Sequence, residues 1–123
     1  MKTFKIGQEI RDIILSSSAV KEMVNVKVFP LIAPANTTFP FIIYRRNGYQ
    51  PNNNKDGKDE MVFMETTIVV DKYEDSVKIA NNVADTLRTS RTENIDEINI
   101  TNTFEEFTGD SYIQKINISV ILK

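Results

Sequence analysis

The 123-residue sequence predicts an α+β fold in which two helices pack on a largely antiparallel sheet, in the order α-β-β-β-α-β-β. Two segments carry apolar residues at helical spacing, and the segments around them alternate apolar with polar residues, as strands do. The chain contains no cysteine, so its hydrophobic core must hold the fold without disulfides. We expect a single domain spanning residues 1–123, since a chain of this length can bury roughly two-thirds of its unfolded surface.

The first helix is predicted over about residues 4–16, ending at the run Ser16-Ser17-Ser18. Four isoleucines share one face of this segment at helical spacing: Ile6, Ile10, Ile13 and Ile14. Glu9, Arg11 and Asp12 lie on the other face. Because an isolated helix of this length is marginal in water, the isoleucine face is expected to dock on the sheet.

Three strands are predicted between the two helices. The first covers Val26 to Phe29 and stops at Pro30, and the second is the β-branched and aromatic run from Phe39 to Arg46. The third runs from Met61 to Val70 and alternates along its length. Its even-numbered residues should face the core: Val62, Met64, Thr66, Ile68 and Val70.

The second helix is predicted to begin at Asp75 or Ser76, either of which can cap it, and to end near Thr89. One stripe of this helix carries small and apolar side chains: Val77, Ala80, Val83, Ala84 and Leu87. Two strands follow, a short one over Ile95 to Thr101 and a long one over Ser111 to Leu122.

The long polar hairpin from Asn47 to Glu60 does not fit a compact domain. It contains three consecutive asparagines and one large side chain, Tyr49, so it can bury little apolar area. Connections of this length between strands are uncommon and are usually functional or disordered. We expect the segment to be mobile in a free subunit and to order, with Asn53 and Asp56, against a neighbouring subunit.

The side chains that the sequence lacks limit its chemistry. Histidine and cysteine are absent, which removes the usual general base near neutral pH, the usual zinc ligands and the strongest nucleophile. The carboxylates Asp56, Asp59 and Glu60 lie among polar residues, with no apolar wall to desolvate them. We therefore predict a protein that is not an enzyme and that holds no cofactor or metal.

Charge is distributed unevenly along the chain. The net charge is −2, with nine Lys/Arg and six Asp/Glu in residues 1–60 and six and eleven in residues 61–123. This balance provides no overall field for gathering nucleic acid. No apolar run reaches the length of a signal-peptide core or a membrane span, so we expect a cytoplasmic protein with no membrane partner.

Two proline-containing segments stand out in the first half of the chain. They are Val26-Lys27-Val28-Phe29-Pro30-Leu31-Ile32-Ala33-Pro34 and Phe39-Pro40-Phe41-Ile42-Ile43-Tyr44. With the order of the elements, they resemble the small tail completion proteins of long-tailed bacteriophages and prophages, also described as head–tail joining or tail terminator proteins. The resemblance implies a non-enzymatic subunit that forms a ring, commonly a hexamer, at the head-proximal end of the tail tube. Its partners would be the tail tube protein and head connector proteins, first in the bacterial cytoplasm and then in the virion tail.

A ring of identical subunits needs one patch that meets a different patch on its neighbour. Aromatic and arginine side chains are enriched in interface cores, and several cluster where the second strand leaves the body. We predict that the following residues contact a neighbouring subunit: Tyr44, Arg45, Arg46, Tyr49, Asn53 and Asp56.

The acidic second half of the chain suits the lumen of such a ring. DNA would pass through the pore as cargo, and each lysine or arginine that meets phosphate would help to retain it. A neutral or acidic lumen avoids this retention. We expect some of the following carboxylates to line the pore: Glu65, Asp71, Asp96, Glu97, Glu105, Glu106 and Asp110.

Two other functions stay open on the sequence alone. A monomeric small-molecule-binding module would require a crevice lined by convergent polar groups between helix and sheet. An enzyme built on carboxylates and arginines would require a buried carboxylate with a strongly shifted pKa. The mass in solution separates these functions, because the assembly hypothesis predicts a defined ring.

Overall fold

A computed structural model of the chain describes residues 1–51 and 60–123. In these ranges the chain forms three α-helices: α1 (Ile6–Ser16), α2 (Ser18–Val24) and α3 (Tyr73–Arg88). A short 3-10 turn, Lys2–Lys5, precedes α1. The same ranges contain five strands: β1 (Val28–Pro30), β2 (Phe41–Gln50), β3 (Met61–Val70), β4 (Ile95–Thr108) and β5 (Ser111–Leu122). The predicted α+β fold is confirmed.

The five described strands form one mixed sheet in the order β1-β2-β3-β5-β4. Strand β1 runs parallel to β2, and the other three pairs are antiparallel, as predicted. The central strand is β3, where Thr66 pairs with Tyr44 of β2 on one side and Ile116 of β5 on the other. The short β1 and the long β4 are the two edges of the sheet.

The helices cover one face of the sheet, and the hydrophobic core lies between the two layers. The even-numbered residues of β3, from Val62 to Val70, are all buried there, which confirms the predicted alternation. The isoleucine face of α1 is buried in the same core, as predicted. Full burial of each such side chain contributes roughly 1.5–3 kcal/mol, so this face holds the fold together.

The serine run after α1 starts a second helix as well as ending the first. The first helix ends at Ser16 as predicted, but Ser17 has extended backbone angles and its hydroxyl accepts a hydrogen bond from the Val20 amide at 3.3 Å. Ser17 is therefore the N-cap of α2, a helix that the periodicity does not predict. Val20 and Val24 of α2 are buried in the core.

Helix α3 presents a different stripe to the core from the predicted one. It begins at Tyr73, ahead of the predicted caps at Asp75 and Ser76. Its buried residues are Ser76, Ile79, Val83 and Leu87. Val77 is exposed, so its place in the predicted stripe was wrong. Ser76 can be buried in the core because its hydroxyl donates a hydrogen bond to the Tyr73 carbonyl at 2.7 Å.

Two strands extend further than predicted. Strand β2 continues through Gln50, with Tyr49 paired to Val62, so residues 47–50 belong to the sheet rather than to the polar hairpin. Residues 52–59, with Asn53 and Asp56, lie outside the described residues. Strand β4 continues to Thr108, because residues 102–108 all pair with β5 across a tight turn at Gly109, whose φ of 64° suits glycine.

Polar side chains of α1 tie this helix to segments at both edges of the sheet. Glu9 accepts hydrogen bonds from Thr92 Oγ1 at 2.6 Å and Asn94 Nδ2 at 2.9 Å, just before β4. Arg11 donates to the carbonyls of Val26 and Val28, at 3.2 and 2.9 Å, beside β1. These charge-assisted bonds fix the position of α1 over the sheet.

Candidate functional site

The sheet face opposite the helices is not covered by any element of the described chain, and we call it the open face. On β3 it carries the odd-numbered residues, of which Met61, Phe63, Glu65 and Thr67 are half-buried. Its apolar members on the neighbouring strands are Phe41, Ile43, Ile113 and Ile121. These apolar side chains are half-buried and lie among charged residues of the same face.

Charged side chains on the open face form pairs. Arg45 Nε lies 3.8 Å from a Glu65 carboxylate oxygen, and Lys115 Nζ lies 3.4 Å from a Glu106 carboxylate oxygen. The Lys115 ammonium also lies 5.4 Å from the centre of the Phe104 ring. Because these pairs are partly exposed, each contributes at most about 1 kcal/mol to stability.

One corner of the subunit, beside β1 and β2, combines large exposed apolar side chains with two arginines. Phe4 is 70% exposed and Leu31 is 72% exposed. The Arg46 guanidinium lies 4.8 Å from the centre of the Phe4 ring, which is a cation–π contact, and Arg45 lines the same cleft. We call Phe4, Leu31, Arg45 and Arg46 the basic corner.

Leu31 adopts a backbone conformation that large side chains avoid. Its φ is 66°, in the left-handed region. The Leu31 amide donates to the Tyr44 carbonyl at 2.9 Å, which continues the contact between β1 and β2 and holds this conformation. The Leu31 side chain lies exposed at the sheet edge in this conformation.

The opposite edge of the sheet ends in the β4–β5 hairpin, which packs beside the start of α3. Phe107 is 58% exposed and Tyr73 is 44% exposed, and their ring centres lie 4.8 and 5.8 Å from that of Tyr112. Glu105 and Glu106 line the same cleft of about 250 Å³. We call Tyr73, Glu105, Glu106 and Phe107 the acidic hairpin end.

Hydrogen bonds hold the Glu105 carboxylate in place. The Tyr73 hydroxyl donates to it at 3.0 Å, and the Gln114 amide donates at 2.8 Å. The bond to this carboxylate favours the protonated phenol and so raises the pKa of Tyr73 above its usual 10.0. The acidic hairpin end is thus ordered within the subunit, which lowers the entropy cost of docking.

The structure separates the predicted interface residues. Arg45 and Arg46 are exposed on β2. Tyr44 is 7% exposed and lies in the core, where its ring is so close to Gly7 that a Cβ there would lie 3.2 Å from Tyr44 Cε2. Tyr44 therefore packs within the subunit. Tyr49 is half-buried, and its hydroxyl donates to the Glu60 carboxylate, which raises the pKa of Tyr49.

The predicted pore-lining carboxylates do not all share one face. Glu65, Glu97 and Glu106 lie on the open face, where Glu97 pairs in register with Ile121. Glu105 lies on the side of the helices, as its bond to Tyr73 shows. The remaining three are exposed at strand ends, bulges or turns: Asp71, Asp96 and Asp110.

Sequence patterns alone do not single out the exposed aromatic and aliphatic residues of these surfaces: Phe4, Leu31, Phe104 and Phe107. Phe4 borders the first predicted helix, and the other three fall between predicted strands. The signal that could have marked the hairpin is the pair Phe104 and Phe107 around Glu105-Glu106.

Across residues 1–51 and 60–123, no group of three potential metal ligands gathers. Nor does any helix described there have the length and apolar character to cross a membrane. Four clefts on the described surface have volumes of about 250, 320, 280 and 370 Å³, at or just below the lower end of the roughly 300–1,000 Å³ that small-molecule sites span.

A solved structure with a similar fold comes from the virion of a native gene transfer agent particle. The TM-score is 0.71, and the alignment covers 92% of this chain and 90% of that chain. The sequence identity is 8%, so the likeness shows a shared fold. Comparison with curated protein sequences finds no significant match.

The sequence profile of one protein family covers nearly the whole chain. Residues 8–120, from α1 into β5, match the profile described as tail completion protein gp17. The match includes the acidic hairpin end and most of the open face and of the basic corner. The chain therefore belongs to the tail completion protein gp17 family.

Proposed function

We propose that the chain assembles into a ring of identical subunits at the head-proximal end of a phage-type tail tube. There the ring stops growth of the tube and offers the surface on which the filled head docks through its connector proteins. Family membership carries this proposal, because it indicates a structural tail protein rather than an enzyme. The gene transfer agent chain supports it, since that chain has a similar fold within a virion.

The surfaces of the subunit suit a closed ring. Such a ring needs a heterologous interface, in which two different patches meet and the rotation between neighbours closes. The basic corner and the acidic hairpin end lie at opposite edges of the sheet and differ in charge. A ring of six is the number implied by the resemblance to tail completion proteins.

We also assign a role to the carboxylates of the open face. Glu65 and Glu97 would line the lumen, through which DNA passes as cargo. Because contacts between phosphate and lysine or arginine release counterions and add affinity, an acidic lumen would let DNA pass without retaining it. A lumen lined chiefly by lysine and arginine would contradict this assignment.

Light scattering across a concentration series, followed by electron microscopy, tests the ring. We expect a concentration-dependent equilibrium between monomer and closed ring, and binding of the ring to one end of tail-tube polymers. A strict monomer at millimolar concentration that also fails to bind tail-tube protein would overturn the proposal. That outcome would favour the alternative of a monomeric small-molecule-binding module.

A further inference from the structure

We propose that neighbouring subunits meet head to tail, with the acidic hairpin end of one copy docked on the basic corner of the next. The inference rests on the ring proposed above and names the two patches that form its interface. The occupant of each patch is a second copy of this chain.

The two patches are complementary in charge. The cations at the basic corner and in the turn beside it are Lys5, Arg45 and Arg46, whereas Lys2 donates to the Lys123 carbonyl after β5. The Glu60 carboxylate, which accepts from Tyr49, lies beside the same corner. Arg45 is paired with the Glu65 carboxylate, so Arg46 is the main cation facing a partner. The anions at and around the acidic hairpin end are Glu74, Asp75, Glu105, Glu106 and Asp110. They outnumber the nearby Lys72 and Lys115, so this end keeps a net negative charge.

Each patch also presents apolar anchors beside its charges. Phe4 and Leu31 expose most of their surface at the basic corner, and at the acidic hairpin end Phe107 is 58% exposed and Tyr73 is 44% exposed. Aromatic side chains and arginine, surrounded by polar contacts, are the usual composition of the residues that dominate binding at interfaces. Association would remove this apolar surface from water.

The positions of the patches determine which contacts are possible. They lie at opposite edges of the sheet, β1–β2 and β4–β5, so they do not meet within one subunit. Contact between two basic corners, or between two acidic hairpin ends, would bring like charges together. Contact between unlike patches leaves one of each free to bind a further copy, which is the condition for a ring.

The first half of the β4 edge is poorly suited to adding a strand from a neighbour. Bulges at Asp96 and Thr101 interrupt its register with β5, whereas residues 102–108 pair with β5 without a bulge. Bulges on an edge strand disrupt continuous pairing with another chain. Any contact of the β4 edge with a neighbouring copy is therefore confined to the hairpin half of the strand, where the acidic hairpin end lies.

Two single variants and their mixture test this interface. Arg46→Glu disables the basic corner, and Phe107→Lys disables the acidic hairpin end. Each variant alone is expected to raise the dissociation constant for assembly about tenfold or more, and to remain monomeric where the wild type forms rings. An equimolar mixture of Arg46→Ala and Phe107→Lys is expected to form a dimer that grows no further, because one intact corner can bind one intact hairpin end and the two altered patches gain no new charge pair.

Matched controls carry the same changes outside both patches. Arg91→Glu and Val26→Lys alter exposed residues and should assemble like the wild type. Thermal melting establishes that each variant is folded. If either charged variant unfolds, Arg46→Ala and Phe107→Ser repeat the test with milder changes, measured by the same light scattering.

Each outcome of the mixing experiment is decisive. Rings formed by both single variants, or a dimer formed by Arg46→Glu alone, would overturn the head-to-tail interface and leave the ring itself in place. Loss of tail-tube binding by a variant that still forms rings would assign that patch to the tube protein instead. A wild-type chain that stays monomeric throughout would overturn the proposed function, and this interface with it.

Discussion

The two faces of the sheet are built from alternate residues of the same strands, yet they carry different kinds of side chain. On β3, Met64 and Ile68 face the helices and are buried, whereas Phe63 and Thr67 face outward and are half-buried. The face under the helices, which we call the covered face, is almost wholly apolar, whereas the open face mixes aromatic, aliphatic and charged side chains. The alternation of a strand thus separates a role in stability from a role in contact within one element.

The largest expected effect lies on the covered face of β5. Ile118 is 1% exposed, so Ile118→Ala leaves a cavity in the core and should lower the free energy of unfolding by about 2–5 kcal/mol. Denaturant unfolding of the monomer measures this loss. Ile121→Ala, on the open face of the same strand, is the matched control and should cost about 1 kcal/mol or less. Equal losses would contradict the division between the faces.

A smaller effect on stability is expected at Ser17, between α1 and α2. Ser17→Ala removes the hydroxyl that accepts from the Val20 amide, and loss of such an N-cap costs about 1 kcal/mol. Chemical denaturation of the monomer, compared with Ser18→Ala as the neighbouring control, measures the difference. A control that loses as much stability as Ser17→Ala would show that the cap does not hold α2 in place.

The dependence of stability on alkaline pH tests the burial of Tyr44 in the covered face. Burial raises the pKa of this phenol above its usual 10.0. The folded state therefore favours the protonated form, and the stability that this provides is complete below pH 10 and is lost as the pH rises through the folded pKa. We expect Tyr44→Phe to lose less stability than the wild type as the pH rises above 10. Parallel stability profiles of the two proteins would contradict this.

The smallest expected effect lies on the open face. Glu65→Gln removes the partly exposed pair with Arg45, at 3.8 Å, and should change the free energy of unfolding by less than about 0.5 kcal/mol. Glu97→Gln, on the same face of β4, is the control in the same unfolding experiment. A loss above about 1 kcal/mol for either variant would show that the open face also stabilises the fold.

The covered face could be predicted from local periodicity. The even-numbered residues of β3 and the isoleucines of α1 are buried as expected, and β5 has the expected bounds. Each of these elements buries one side and exposes the other, so its apolar pattern reports its orientation directly. Arg45 and Arg46 also lie at the surface, and their role in an interface stays a prediction.

Periodicity failed where a single residue serves two elements or where packing accepts a polar side chain. Ser17 both ends α1 and caps α2, and the run of serines does not distinguish these roles. Ser76 takes a core position that Val77 was expected to share, because its hydroxyl finds a backbone partner. The second half of β4 is polar, and its strand conformation depends on pairing with β5.

By itself the sequence determined the α+β class, the buried side of β3 and α1, and the absence of histidine and cysteine chemistry. The tertiary structure decided which residues come together in the basic corner and in the acidic hairpin end. Phe4 meets Arg46, and Tyr73 meets Tyr112 and Glu105, across long stretches of chain. Periodic patterns report the burial of each element alone, whereas these surfaces arise when packing brings the ends of separate elements together.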